Sequence, residues 1–537
     1  MRTTIIKRYL LLLVAGFFSI LPVMAQRGRV SLEQQVAATM KKATAFMMDE
    51  VSYNGGFVWN YLPDFSRSWG EMEAKRTMAW VQSPGTPGIG HLLLDVYHAT
   101  GDEYYYRMAE KVTNALIWGQ LECGGWNYMF DFAGEASLKN WYETIGRNGW
   151  RLEEFHHYYG NATFDDGGTV EAATLLLRMY VEKYDPKFKP ALDKAIGFVL
   201  ESQYPIGGWP QRYPLRYDYS KNGNPDYTSF ITLNDDVASG NIQFLIHCYQ
   251  ALGEQRILEP IFRAMNCLRI LQQGVPQAGW AMQYDLLLQP QGARTYEPNG
   301  IVSHATAGAI AKLMDYYRLT GDTKYLIGIP DALDFLESAA ISPKDMAKWG
   351  RNASEGTLIC PTFIEIGTGT PRYIHRRGSN VVNGEYYFDD DIEHTIGHYG
   401  SVRSIPIKAL RDRYEQLLEM PKEEVTQGSP LMETGKVDLP RYFTSRRGAV
   451  SEEAVRKLVD GLNNRGYWPA RLNTTSNPYI GPGSKDELTP GDFRSTNVGD
   501  RFDTSPYRAQ EPVMGISSSV FINNMFTLAR YLEGFQE

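Results

Sequence analysis

The chain has 537 residues, a formal net charge of −8, 43% apolar and 22% charged residues. That length exceeds one small core, and a prior of about 150 residues per domain would divide it into several; the composition is that of an ordinary globular protein and excludes a disordered or collagen-like chain. The aromatic content, with 34 Tyr and 11 Trp, suits either a large core or a surface for flat, hydroxylated ligands such as sugars.

The first 25 residues read as a secretory signal peptide. Arg2, Lys7 and Arg8 form a basic start, an apolar run follows from Tyr9 to Val23, and Met24-Ala25 supplies small residues before a cut at Gln26. The apolar run is short and broken by Pro22, so it is not a membrane anchor, and no Cys follows the cut to carry a lipid. The expectation is an exported protein, periplasmic or extracellular. Removing the leader takes away three basic residues and no acidic one. The exported chain is more acidic still, which argues against general nucleic-acid binding.

Four cysteines occur, at 123, 248, 267 and 360. None has CxxC spacing, so a zinc site is not expected. Cys248 and Cys267 are either two buried thiols or, in an exported protein, a disulfide across a helix pair.

A repeated segment is the main architectural signal. Gly55-Gly56-Phe57-Val58-Trp59 resembles Gly124-Gly125-Trp126, Gly207-Gly208-Trp209 and Gly279-Trp280, with Gly466-Tyr467-Trp468 a weaker copy. Between these markers lie paired helix-like runs: Thr169 to Tyr184 and Phe188 to Gln203, Asp236 to Gly253 and Arg256 to Gln273, His304 to Leu319 and Lys324 to Ala339. Val170, Ala173, Leu176 and Leu177 recur at helical spacing, and Thr-Gly-Asp at 100–102 and 320–322 reads as helix stop plus cap. Counting from a helix at Leu32 to Glu50, the chain holds about six helical hairpins. A last helix from Met514 to Leu532 would pair with the first. The expected fold is therefore all-α, a single α/α toroid over residues 26–537, with short strands and long loops gathered at one mouth. No other stretch is apolar enough to span a bilayer, and a monomer is expected.

The mouth loops carry the chemistry. Phe164-Asp165-Asp166-Gly167-Gly168-Thr169 and Leu233-Asn234-Asp235-Asp236-Val237-Ala238 precede two inner helices, with first aspartates 70 residues apart. Paired carboxylates there are either helix caps or groups for calcium or acid–base work; three oxygen-bearing residues at 234–236 exceed what a cap needs and suit a hard cation. Gln283-Tyr284-Asp285 is followed by Arg294-Thr295-Tyr296-Glu297. That set fits an anionic sugar, since Arg can grip a carboxylate with two hydrogen bonds, or a plain Arg294–Glu297 salt bridge. Between Phe363 and Gly378 stand Glu365, Arg372, His375, Arg376 and Arg377, a dense positive patch in an acidic protein. Phe388-Asp389-Asp390-Asp391-Ile392-Glu393-His394 lacks EF-hand spacing and reads as an acidic turn or a helix cap.

Gly207-Gly208-Trp209-Pro210-Gln211, Thr232-Leu233-Asn234-Asp235-Asp236, Gln283-Tyr284-Asp285, Ala293-Arg294-Thr295-Tyr296-Glu297 and Phe363-Ile364-Glu365-Ile366-Gly367-Thr368 follow one another as in the family-10 pectate lyases, which the sequence resembles over about residues 190 to 380. That resemblance implies an α/α toroid that cleaves polygalacturonate by β-elimination with calcium. It implies Arg376 as base, with Asp235 and Arg294 also catalytic, and Asp235, Asp236 and Asp285 at the metal. It further implies Trp209, Gln211, Tyr296, Glu297, Glu365, Arg372 and Arg377 at the substrate. Two departures stand out. His375-Arg376-Arg377-Gly378 replaces the family's Gly-Arg-Asp-Gly, and a family arginine aligns with Thr362. Two further readings stay open: a glycoside hydrolase on the same toroid using carboxylates such as Asp166 and Asp236, and a non-catalytic glycan-binding relative.

Overall fold

A computed structural model describes residues 31–146, 153–216, 226–348, 352–377, 385–392, 395, 399–432, 439, 450–472 and 514–534. The leader at 1–25, Gly378, Glu393 and His394 lie outside the described residues.

Helical hairpins dominate. They are α1 (Leu32–Phe46), α2 (Thr86–Thr100) with α3 (Glu103–Gly119), α4 (Gly168–Lys183) with α5 (Lys189–Glu201), α6 (Val237–Leu252) with α7 (Leu258–Ile270), and α8 (Ser303–Thr320) with α9 (Ile329–Ser338), then α10 (Ile407–Glu419), α11 (Glu452–Gly461) and α12 (Ser518–Glu533). Two elements differ from expectation. The run from Lys324 becomes a 3₁₀ turn at Thr323–Tyr325 and a helix only from Ile329, because Pro330 fits the first turn but not an interior. Met514–Ser517 is a strand ahead of the last helix.

First helices pack side by side in the order α12, α2, α4, α6, each carrying its second helix behind it. The C-terminal unit abuts the N-terminal one: α12 packs on α1 and α2, and α11 packs on α1. The Ser518 N–H donates to the Trp59 carbonyl at 2.8 Å, which fastens this seam.

The repeated Gly segments have a physical cause. Gly55, Gly124 and Gly207 all hold positive φ, and a Cβ on them would run into the carbonyls of Lys111, Lys194 and Arg263 on the next second helix. Only glycine meets both demands. The residue after each pair is the true repeat position. The N–H groups of Phe57, Trp126 and Trp280 each donate to a threonine hydroxyl, of Thr86, Thr169 and Thr306, at 3.0 Å. Phe57, rather than Trp59, is thus the first copy. Trp126, Trp209 and Trp280 are fully buried and donate their indole N–H to the carbonyls of Leu116, Val199 and Leu268 at 2.8 Å.

Short strands line the loop side. β1 (Ile231–Thr232), β2 (Gln283–Tyr284) and β3 (Pro290–Gln291) form one sheet with β2 central. β4 (Ile301–Val302), β6 (Phe363–Ile364), β7 (Pro371–Arg377) and β8 (Glu385–Asp389) form another, and β5 (Leu358–Pro361) pairs with β9 (Val402–Ile405). The positive patch between Phe363 and Arg377 is thus built on strands β6 and β7. All four cysteines are free thiols, Cys248 and Cys267 buried. Among the described residues no helix is long and apolar enough to cross a membrane.

Candidate active site

The loops before α4 and α6 superimpose in backbone conformation. Each enters its helix through a 3₁₀ turn, Asp165–Gly167 or Asn234–Asp236. Asp166 and Asp235 take left-handed φ of 48° and 50°, and Gly167 and Asp236 follow at 71° and 58°. The equivalent aspartates are thus Asp166 and Asp235, one residue off the pairing expected from the first acid of each run. Neither helix receives a side-chain cap from these residues, so the capping explanation is set aside. A non-glycine residue in this region costs on the order of 1 kcal/mol or more and concentrates at functional sites.

The two loops meet at Arg294, which is only 3% exposed. Its Nε lies 3.0 Å from Glu297 and its Nη2 3.0 Å from Asp235, while Nη1 lies 3.4 Å from Glu154 and 3.7 Å from Asp165. Every nitrogen of the guanidinium is engaged by a carboxylate, so Arg294 holds the cluster and has no fork left for a sugar carboxylate. Tyr128 donates its hydroxyl to Asp165, and Tyr399 donates to Glu297 at 2.6 Å. Asn234 bridges Asp235 and the Tyr399 hydroxyl, and Gln82 donates to Asp166 at 2.7 Å. Glu153 accepts from the Thr295 N–H at 3.1 Å and shapes the same turn.

Five acids around one guanidinium cannot all ionise in a buried site. Burial pushes Glu154 up to about 7, against the pull of Arg294. Burial and the neighbouring Asp165 carboxylate hold both Asp166 and Asp235 well above the usual carboxylate range. In all three groups the surroundings favour the protonated form over the carboxylate. Asp235 also lines a cavity of about 390 Å³ together with Asp236, His304, Lys312, Tyr399 and Arg403. Of the five acids of the cluster it is the one that lines this cavity.

The other expected site residues distribute as follows. Tyr296 is fully buried beneath Arg294, its ring 5.6 Å from the guanidinium. Gln211 is buried, its carbonyl accepting from the Phe164 N–H. Trp209 is a core residue with no solvent-facing ring, which corrects its placement beside sugar. Glu365 and Arg372 satisfy each other at 2.5 Å on the rim, with Thr368 donating to Glu365. Arg376 and Arg377 end β7, opposite Tyr386 and Glu385 of β8, and their side chains lie outside the description. The strand itself is tied to the cluster, since Ile374 and Phe363 pack with Tyr296. His375 contacts Asp389 at 2.7 Å. Thr362 is buried and donates to the Gly400 carbonyl at 2.6 Å.

The three acids named for calcium do not converge. Asp285 uses Oδ1 for the N–H groups of Leu287 and Gln289 and Oδ2 for Gln291, all at 2.9 Å, which closes its own turn. Asp236 faces Ser239 at 2.6 Å, and Asp235 faces Arg294. Among the described residues no three His, Cys, Asp or Glu side chains are arranged to hold a metal ion. The residues present do not fit a preformed calcium site.

Glu154, Tyr128, Tyr399, Lys312 and Arg403 were not singled out by sequence. Glu153-Glu154 sits outside any repeat marker, and no spacing rule links Tyr399 to residues a hundred positions earlier.

A family model described as pectic acid lyase matches residues 139–316. No curated protein matches the chain. Among solved structures, a mutant family 10 polysaccharide lyase from Cellvibrio cellulosa in complex with trigalaturonic acid is 16% identical, covers 56% of this chain and 89% of its own, and has a TM-score of 0.35. A GH76A alpha-1,6-mannanase from Salegentibacter is 12% identical over 94% of this chain and 100% of its own, TM-score 0.35. A cellobiose 2-epimerase from Spirochaeta thermophila is 12% identical over 95% and 100%, TM-score 0.39. The family match ends before β6 and β7 but contains Glu154, Asp165, Asp166, Asp235, Arg294 and Glu297. The stretch that builds the buried cluster is thus similar to the pectic acid lyases, and the resemblance read from the motifs is shown there.

Proposed function

We propose that this protein is an exported polysaccharide lyase that cleaves polygalacturonate or a related uronan by β-elimination, on hairpins that close into an α/α toroid. One observation carries the reading: the segment matched by the pectic acid lyase model is the segment that gathers buried acids around Arg294 at the edge of an open cavity.

In β-elimination the C5–H bond of a uronate breaks, its electrons form the C4–C5 double bond, and the C4–O bond breaks with the departing sugar. Arg376 is proposed as the base on strand β7. An arginine serves so only when its surroundings favour its neutral form, as neighbouring positive charge would. Asp235, whose pKa burial and the Asp165 carboxylate push upward, is proposed to supply the proton that the leaving O4 takes up. Arg294 is a positioning residue that fixes Asp235. Calcium dependence belongs to the proposal as a variable of the assay, and no step is routed through the ion, since the acids named for it do not converge.

The test is incubation with several uronans, with and without calcium or EDTA, following the ultraviolet absorbance of the unsaturated product. Appearance of that absorbance, and its loss in Arg376→Ala, is the expected result. Full activity in Arg376→Ala removes the base assignment. A second reading, a glycoside hydrolase, is favoured by the equivalence of Asp166 and Asp235, two carboxyl groups in the same backbone conformation with upward-shifted pKa values. It would give reducing ends without absorbance. Binding with neither product would leave a glycan-binding protein.

A further inference from the structure

Two cations line the cavity beside Asp235 and pair with no carboxylate among the described residues. Arg403, on β9, lines it and forms no ion pair with a described residue, and its buried Nε has no hydrogen-bond partner. Lys312, on α8, lines it too and is likewise unpaired among the described residues. The acids of the same wall are already engaged. Asp235 pairs with Arg294 and Asp236 accepts from Ser239. Nearby cations outside the cavity do find carboxylates, Arg413 with Asp315 at 2.6 Å and Arg411 with Glu337 at 2.8 Å. His304 adds a ring with an unpartnered Nδ1; burial and the nearby Arg403 push its pKa down to about 4, so near pH 7 it offers a neutral polar edge.

The cavity does not end there. A second one, of about 290 Å³, shares Ser239, Ile242, Lys312 and Tyr316 with the first. It continues toward Gln427 and Ser429. Lys312 stands at the junction. The two volumes together fall in the range of ligand pockets and form a groove rather than a closed chamber.

We propose that Arg403 and Lys312 form a carboxylate-binding subsite of this groove, with Arg403 next to the acid cluster and Lys312 at the junction, so that the occupant is a chain of anionic sugars. Unpaired, partly desolvated cations gain most from a charged acceptor, and a neutral sugar would leave them uncompensated. Selection for the acid form over a neutral or esterified glycan then comes from these two side chains. Arg294, whose nitrogens are all taken, has no part in it. The inference rests on the lyase reading for the identity of the sugar, but the subsite needs only an anionic glycan.

The test is calorimetric binding of an oligogalacturonate and of its fully methyl-esterified counterpart, in an Arg376→Ala background. The expected result is salt-sensitive binding of the acid and weaker binding of the ester. Arg403→Gln and Lys312→Gln should each weaken the acid by roughly tenfold or more and leave the ester unchanged. Equal binding of acid and ester, no binding of the acid, or variants that bind it as the parent does would overturn the proposal. Should Arg403→Gln fail to fold, Lys312→Gln, whose ammonium makes no hydrogen bond to a described residue, decides alone. A lyase failure looks different: binding and its losses as expected, but no unsaturated product from any uronan with the unmutated protein.

Discussion

Replacing Glu154 by Gln tests the buried cluster through the pH dependence of stability. The folded protein holds the Glu154 pKa at about 7, against 4.5 for the free side chain, chiefly through burial. Below pH 4.5 folded and unfolded chains both carry the proton, and the group contributes no difference. Between 4.5 and 7 only the folded chain keeps it, so stability falls as pH rises through that window. Above 7 the full cost of ionising a buried acid is present, about 3 kcal/mol for a shift of this size. Gln mimics the protonated form at every pH and removes that slope. With about 2 cal/mol/K of unfolding entropy per residue, a chain of 537 residues converts about 3 kcal/mol into a Tm difference of about 3 °C. Thermal melts of both proteins from pH 4 to 9 should therefore diverge between 4.5 and 7, the variant gaining, and then run parallel. Parallel profiles throughout that window would refute the claim that Glu154 is protonated by its surroundings; a constant offset reports only the altered contact with Arg294.

Arg294→Met leaves several buried acids without their cation, and a loss of about 3–5 kcal/mol together with activity is expected from melts and turnover assays; a variant as stable as the parent would mean the acids are not held by charge. Gly207→Ala places a Cβ against the Arg263 carbonyl at φ 110°, so a loss of on the order of 1–3 kcal/mol is expected, and a neutral result would remove the close-approach explanation of the repeat. Trp209→Phe should lower Tm through the lost Val199 hydrogen bond while leaving KM for uronan within about twofold of the parent; a raised KM with unchanged Tm would restore Trp209 to the substrate.

Much of the scaffold was legible because its cause is local. A glycine forced to positive φ against a helix backbone and an indole bonded to a carbonyl at the end of the preceding helix leave a short, recurring mark. The helix pairs showed through their spacing, although Pro330 moved one start and a four-residue strand replaced the first turn of the last helix. The site was legible only in part. Asp235, Arg294, Tyr296 and Glu297 do meet, but sequence offered Arg294 as a sugar ligand, and only the fold shows that Glu154 and Asp165 approach its remaining nitrogen. Glu154, Tyr399 and Arg403 reach the site across long loops, and no period connects them. Asp285 looked like a ligand because an acid in a hairpin looks the same whether it binds an ion or the backbone of its own turn.

The seam between the two ends of the chain sets an order of events. Asn60 and Tyr61 pair with Ser517 and Ile516, Gly466 presses on α1, and the apolar flank of α2 is covered by α12. A nascent chain emerging amino end first has its opening hairpin ready long before the helix that shields it is synthesised. The cover for α2 is thus synthesised more than 400 residues after it, and its apolar flank meets that cover only once α12 is made.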